Sequence, residues 1–403
     1  YKKSVEVDPK LSRAYSGLAA TLANLGRRQE AESYYQLALT HINQMSEREK
    51  FRTRGGYYLL TRNYPKAVEQ FKSLVEQYPA DTAGIANLAL AHFYGRNMEL
   101  ALKEGQRAID IYPNNLLQRN NVGLYAMYAG DFDRAIQESK TILEANPSFE
   151  KAYVCLALAH LGKGEIAEAE AAYRKMADLS DWGASEAALG LADLKLYQGR
   201  ISEAAAILNQ GIARDLEQKN EAARIKKVVA LAAAQAGRRQ RAQALAGAGK
   251  AAAYGGDESI QFPAAQVFIE AGQPEKALAI AAQLSEQFGP EPRATAKLIE
   301  AEVQLKAGKV REAVALFQEA QELADTWLGR FGLGRAYLAA KLYPEADNEF
   351  DVCLKRRGEA TAVFLDDDPS LRYLPAVFYY QGRAREGLGS PGAAEAYEAF
   401  LAI

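Results

Sequence analysis

Leu116-Leu-Gln-Arg-Asn-Asn-Val-Gly-Leu-Tyr-Ala-Met-Tyr-Ala-Gly130 runs straight into Asp131-Phe-Asp-Arg-Ala-Ile136, and the stretch closes at Pro147. Thirty-four residues after Asp131, Glu165 opens a second copy, Glu-Ile-Ala-Glu-Ala-Glu170. Following the alanine of this pattern outward gives Ala31, Ala67, Ala101, Ala135, Ala169, Ala204, Ala242, Ala277, Ala313 and Ala346, at gaps of 33 to 38 residues. An eleventh copy ends the chain, with Ala393 or Ala394 in this role. A fixed period of this length is the mark of stacked supersecondary units.

Other positions keep step. Five residues before the alanine stand Gly26, Gly130, Gly164, Gly199, Gly237, Gly272 and Gly308. Four after it stand Tyr35, Phe71, Tyr173, Phe317 and Phe350, and twelve after it Pro79, Pro113 and Pro147. The glycine ends a first helix, where a left-handed residue is needed. The alanine sits where two antiparallel helices come closest. The ring fills the space between one pair and the next, and the proline cannot continue the second helix. One hairpin cannot bury its apolar stripe alone, but stacked copies can.

Composition agrees. The 403 residues include 76 alanines and only 13 prolines, a helix-forming bias. Balanced charge, 49 Lys+Arg against 51 Asp+Glu, argues against a general nucleic-acid or membrane-surface binder. Two cysteines and three histidines exclude a disulfide framework and leave little for a zinc site. No apolar run approaches the roughly 18 residues of a membrane span.

A helix-turn-helix of this period with these slots resembles the tetratricopeptide repeat over almost the whole chain. The fold this implies is all-α, a right-handed superhelical solenoid of about eleven repeats. Residues 1–10 are expected to be the remnant of a preceding repeat's second helix. Repeats one to seven then fill 11–250, and repeats eight to eleven fill 251–403. A joint is expected near 251–258, where Ala251-Ala-Ala-Tyr-Gly-Gly-Asp-Glu258 interrupts the pattern, and an insertion at about 356–370. Two segments, Glu47-Arg-Glu-Lys-Phe-Arg52 with its continuation to Pro79, and Trp327 to Gly389, are similar to the repeat regions behind bacterial serine/threonine kinase domains. Related regions follow winged-helix regulators. That resemblance implies a docking or sensor module of a signalling protein.

Chemistry is scarce. Gly247-Ala-Gly-Lys250 lacks the first glycine and the Ser/Thr of a phosphate loop, has no strand before it, and reads as close helix packing. His92 and His160 share one slot two repeats apart, too distant for a common metal, and read as hydrogen-bonded core histidines. Asp366-Asp-Asp-Pro369 lacks the spacing of a calcium loop and reads as a solvated turn whose aspartate caps the next helix. Arg224, Lys226, Lys227, Arg238, Arg239, Arg241 and Lys250 read as a solvated basic face, because no aromatics interleave to stack bases. No nucleophile elbow or metalloprotease signature is present, so we expect no enzyme, no cofactor and no metal.

What remains is a surface. Positions 2, 6, 9 and 13 of each first helix form one stripe on the inside of the curved stack. Repeat three places Ala83, Asn87, Leu90 and Tyr94 there, repeat four Leu117, Asn121, Leu124 and Tyr128, and repeat five Lys151, Cys155, Leu158 and Gly162. Asn87, Leu90, Tyr94, Asn121, Leu124, Tyr128, Lys151 and Leu158 are the candidate peptide-binding residues, amides for a backbone and apolar pockets for side chains. Asn87, Asn121 and Lys151 match the carboxylate clamp of chaperone-binding repeats, but Ala83 and Cys155 stand where a lysine and an arginine belong. The expected function is a non-catalytic protein-interaction scaffold taking a protein or peptide, with no nucleic acid and no direct membrane contact. The alternative is self-association, or a structural module holding an attached kinase or DNA-binding domain. A cytoplasmic location is the expectation, and a membrane span upstream of residue 1 would change it.

Overall fold

The computed structural model describes residues 1–365 and 368–403, which are helical with no strand among them. The chain falls into two compact units, Tyr1–Tyr125 and Ala126–Ile403. The first holds the helix Lys2–Val7, repeat one (Ser12–Asn24, Arg28–Thr40), repeat two (Glu47–Leu60, Tyr64–Gln77), repeat three (Thr82–Tyr94, Met98–Ile111) and the start of Leu116–Ala129. The second completes repeat four with Phe132–Ala145. It continues through repeats five (Glu150–Lys163, Ile166–Ala177), six (Asp181–Tyr197, Ile201–Glu217), seven (Glu221–Gly237, Arg241–Tyr254) and eight (Glu258–Glu270, Pro274–Ser285). Repeats nine (Pro290–Lys306, Val310–Leu323), ten (Trp327–Ala339, Tyr343–Lys355) and eleven (Leu374–Gly387, Gly392–Leu401) end it. Between repeats ten and eleven lie a single helical turn, Arg357–Ala360, and a 3-10 turn, Leu371–Tyr373.

The alanine slot is stricter than the sequence count. In repeats one to ten it is the fourth residue of the second helix, and its exposure never exceeds 1%. In repeat seven this residue is Ala244, not Ala242, which is exposed. The first helix of that repeat is seventeen residues long and runs through Gly237, so the turn moves two residues on. In repeat eleven the buried alanine is Ala396, while Ala393 is half-buried and Ala394 exposed.

The left-handed slot moves with it. Five residues before the alanine, Gly26, Gly130, Gly164, Gly199, Gly272 and Gly308 have φ between 70° and 85°. Arg62, Arg96, Arg239 and Lys341 occupy the same slot at φ 55° to 62°. The helix ends there even without glycine, because the next helix must turn back to bury its alanine; the Cβ then sits in a conformation costing about 1 kcal/mol. The rings pack inside the hairpin and against the next one: a Cβ on Gly55 would stand 2.6 Å from the buried Phe71 ring of the same repeat, and Phe350 stacks on Tyr380 of repeat eleven, centroids 6.2 Å apart. Pro79, Pro113 and Pro147 each stand two residues past a second helix.

Polar anchors fix two junctions. In the first unit Asp81 caps Thr82–Tyr94: its Oδ1 accepts from the Gly84 N–H at 2.8 Å and from Arg52 Nη2 at 2.6 Å, and Oδ2 accepts from Arg48 Nε at 2.8 Å. Burial alone would raise this carboxyl, but Arg52, Arg48 and the Gly84 N–H outweigh it and hold it below the usual range. Arg48 and Arg52, in one of the segments that carry the kinase-associated resemblance, therefore serve the stack itself. In the second unit Lys227 Nζ meets Asp215 Oδ2 at 2.7 Å and Ser185 Oγ at 2.8 Å, all buried. A Cβ on Gly211 would stand 2.8 Å from the Lys227 stem, so this glycine makes its room. Cys155 and Cys353 are buried and not joined in a disulfide.

Asp81→Ala should cost about 1–2 kcal/mol in urea unfolding at pH 7. The folded Asp81 carboxyl has the lower pKa, so its contribution is complete above about pH 4 and fades as pH falls through the lowered folded value. The gap between wild type and variant should therefore close in acid, and a pH-independent gap would refute the ionic anchor. Lys341→Gly should raise stability by about 0.5–1 kcal/mol by relieving the left-handed strain; no gain in melting temperature would show the turn to be unstrained.

Candidate functional site

The candidate residues divide between the units. In the first, Asn87, Leu90, Tyr94 and Asn121 are half-buried and Leu124 is buried. Neither Asn87 nor Asn121 engages its amide in a hydrogen bond among the described residues. Tyr94 stacks on Tyr64, centroids 5.8 Å apart. In the second unit Lys151 is exposed, while Tyr128 is 3% and Leu158 0% exposed. The last two are closed in, and a distant part of the chain packs on the helices that carry them.

Counting the stripe onward in the register of the buried alanines places Glu186, Gly190, Asp193 and Tyr197 in repeat six, and Lys226, Ala230, Ala233 and Gly237 in repeat seven. Onto these positions folds the insertion. Asp193, its side chain wholly buried, accepts from the Leu371 N–H at 2.8 Å, the Arg372 N–H at 3.4 Å and Arg372 Nη1 at 2.7 Å. Lys226 Nζ meets the two oxygens of Asp368 at 2.8 and 2.6 Å. Thr361 Oγ1 lies 3.0 Å from Met127 Sδ, and a Cβ on Gly358 would stand 3.1 Å from the Tyr128 carbonyl. The turn Arg357–Ala360 packs on Glu150–Lys163, which carries Leu158. Phe364 meets Phe262 edge-on.

The segment is closed on itself as well. Ser370 Oγ accepts from the Val363 N–H at 2.7 Å, and the Ser370 N–H donates to the Thr361 carbonyl. Ala360, Thr361 and Ala362 have no exposed surface. Burial works against the charge on Arg372, yet Tyr373 and Asp193 hold its guanidinium above the ordinary value. Burial and the facing Asp368 push Glu186 up, with Lys226 and Lys227 opposing. Asp368 is thus an ion-pair partner and not the expected helix cap; the helix from Leu374 comes after the 3-10 turn and has no side-chain cap. Asp366 and Asp367 of that expected turn lie outside the described residues.

Beyond the segment the stripe opens. A cavity of about 640 Å3 is lined by Ala233 and Gly237 of repeat seven, Gln266 and Glu270 of repeat eight, Glu302 of repeat nine and Arg335 of repeat ten. These are positions 9 and 13 of the stripe, except that repeats nine and ten contribute position 9 alone. Val267, Ile269 and Ala244 add apolar surface, and Arg239 and Arg241 stand at the wall. Arg335 donates to Glu302 at 2.8 Å and lies over the rings of Phe331 and Tyr380. Asn and Tyr were the sequence signal in repeats three and four; the cavity lacks both, so only the register could have found it.

The remaining candidates are structural. His160 Nδ1 lies 2.6 Å from Glu165, and burial lowers His92. Gly247 lies inside a helix, where a Cβ would stand 2.8 Å from Ala232. The basic run divides: Arg238, Arg239, Arg241 and Lys250 are exposed, while Arg224 pairs with Glu221, Lys226 with Asp368 and the buried Lys227 with Asp215. Arg356 binds Asp325 and Glu359, and Arg330 binds Asp325 and Glu349, so the Lys355–Ala360 stretch roots the insertion. Among the described residues no group of three His, Cys, Asp or Glu could hold a metal, and no helix is long and apolar enough to cross a membrane.

Sequence profiles of the tetratricopeptide repeat match residues 12–40, 54–115, 123–181, 262–326 and 298–347. No curated protein matches the chain. Among solved structures, a tetratricopeptide repeat protein from Parabacteroides merdae is 17% identical, with 72% of this chain and 98% of that one covered at a TM-score of 0.42. YrrB, described as a repeat protein with an unusual peptide-binding site, is 19% identical over 44% of this chain and 91% of its own, at 0.33. MamA from Desulfovibrio magneticus is 16% identical over 43% and 98%, at 0.38.

Proposed function

The chain belongs to the tetratricopeptide repeat family, and from that premise we propose that it is a non-catalytic scaffold that docks an extended segment of a partner protein along its inner stripe. The observation that carries this reading is the open cavity of about 640 Å3, built by first helices of four successive repeats rather than by any one hairpin. Its size suits a few side chains of a ligand. Gln266, Glu270 and Glu302 offer polar groups for a peptide backbone, and Val267 and Ile269 offer apolar contact. Asn87, Leu90, Tyr94, Asn121 and Leu124 form the corresponding stripe of the first unit. Asn87 and Asn121 support it, because their amides are uncommitted among the described residues. A role in signalling, as the docking region beside a kinase or a DNA-binding domain, rests on the resemblance of the Glu47–Pro79 and Trp327–Gly389 segments.

The test is capture of partners from the source cell by the full chain and its variants. Ala233→Trp fills the cavity from a half-buried position, and Gln266→Arg changes its polarity. Each should cut capture by roughly tenfold or more while leaving the melting temperature unchanged. Asn87→Ala with Asn121→Ala should weaken a partner seated on the first unit by a similar factor. Undiminished capture by all of these variants would refute docking on the stripe.

A further inference from the structure

Of the segment 357–373, the described residues 357–365 and 368–373 lie against first helices of repeats four to eight as a bound ligand would. The segment folds back on itself through Ser370, and two of its N–H groups donate to one buried carboxylate, Asp193. Its small side chains, Ala360 to Val363, are buried against the helices. Two of its charged side chains find opposite charges on the stripe, Asp368 on Lys226 and Arg372 on Asp193. The tie between Leu371 and Asp193 joins residues 178 apart, and Thr361 meets Met127 across 234. No helix of the repeat pattern requires such a connection; a hairpin needs only its neighbours. The repeat helices on either side of the segment, Tyr343–Lys355 and Leu374–Gly387, pack on each other as consecutive helices of the stack do, so the stack continues without the insertion.

We infer that this part of the stripe is a second docking surface, held shut by residues 357–373 as an internal ligand. This rests on the reading of the inner stripe as the docking face. The partner it fits is chemically defined by its present occupant: a looped segment with a short run of small side chains, followed by a carboxylate for Lys226 and an arginine for Asp193. Such a partner competes with the chain's own segment, whose tether gives it a high effective concentration. Opening therefore depends on a partner that binds more tightly or at high local density. Weakening the ties at Lys226 and Asp193 shifts the balance toward the open surface.

The probe is a synthetic peptide of residues 357–373. It is added to the full chain and to a full-length variant whose residues 357–373 are replaced by a Gly/Ser linker of equal length. Calorimetry should detect binding to the linker variant and at least tenfold weaker binding to wild type. Asp193→Ala in the linker variant should lose at least tenfold. Equal binding to both chains, or none to a folded linker variant, would overturn the proposal. Hydrogen exchange on the otherwise intact chain tests it independently of whether the linker variant folds. Lys226→Met with Arg372→Met should speed exchange at the Leu371 and Arg372 amides while Glu150–Lys163 and Asp181–Tyr197 stay protected. If those helices loosen in step with the segment, the segment is a fixed brace of the fold and the proposal fails. Peptide binding alongside undiminished partner capture by Ala233→Trp would sink the cavity reading alone, since Ala233 does not touch the segment's seat.

Discussion

The close approach of two helices at one alanine sets everything else in this molecule. The fourth residue of each second helix in repeats one to ten has no room for more than a methyl group. That contact fixes the angle of each hairpin, and the angle fixes where the first helix must end. The left-handed turn five residues earlier results from it, so strongly that Arg62, Arg96, Arg239 and Lys341 accept a conformation that suits glycine. The rings set between repeats then need backbone without side chains opposite them, which Gly190 supplies for Tyr173 and Gly332 for Phe317.

Repetition of one contact produces an inner stripe in each unit, and what lies on it differs along the chain. Over repeats four to eight it is covered by residues 357–365 and 368–373, and over repeats seven to ten it opens as a cavity. In the first unit Asn87 and Asn121 stand on it. The charges around the covered stretch are paired, so the balanced net charge of the chain reflects specific partners inside the fold as well as a mixed surface. Lys226, Lys227 and Arg224 read along the sequence as a basic patch. In the fold each faces its own carboxylate: Arg224 on its own helix, Lys227 on the helix before it, and Lys226 on the insertion.

The resemblance-bearing segments take their meaning from the same economy of contacts. Arg48 and Arg52 hold the cap of the next repeat through Asp81. Arg330, Arg335 and Arg356 tie repeats nine to eleven together at the root of the insertion. Arginine suits these places because its fork can serve two carboxylate oxygens or a carboxylate and a ring face at once.

The repeat is legible along the chain: its period, its alanine, glycine, ring and proline slots, and the face on which positions 2, 6, 9 and 13 fall. These are local quantities, repeated often enough that each copy corroborates the others. At Ala242 and Gly237 residue identity parts from register because the first helix is longer, and the residues that fill the two slots are Ala244 and Arg239. The burial of Leu158 and Tyr128, the pairing of Asp368 with Lys226 and the bond from the Leu371 backbone to Asp193 arise in the folded chain alone. A contact made once, between residues 178 apart and outside any period, leaves no pattern in a single sequence. It exists because the stack brings a row of small and charged side chains within reach of an insertion long enough to cross them.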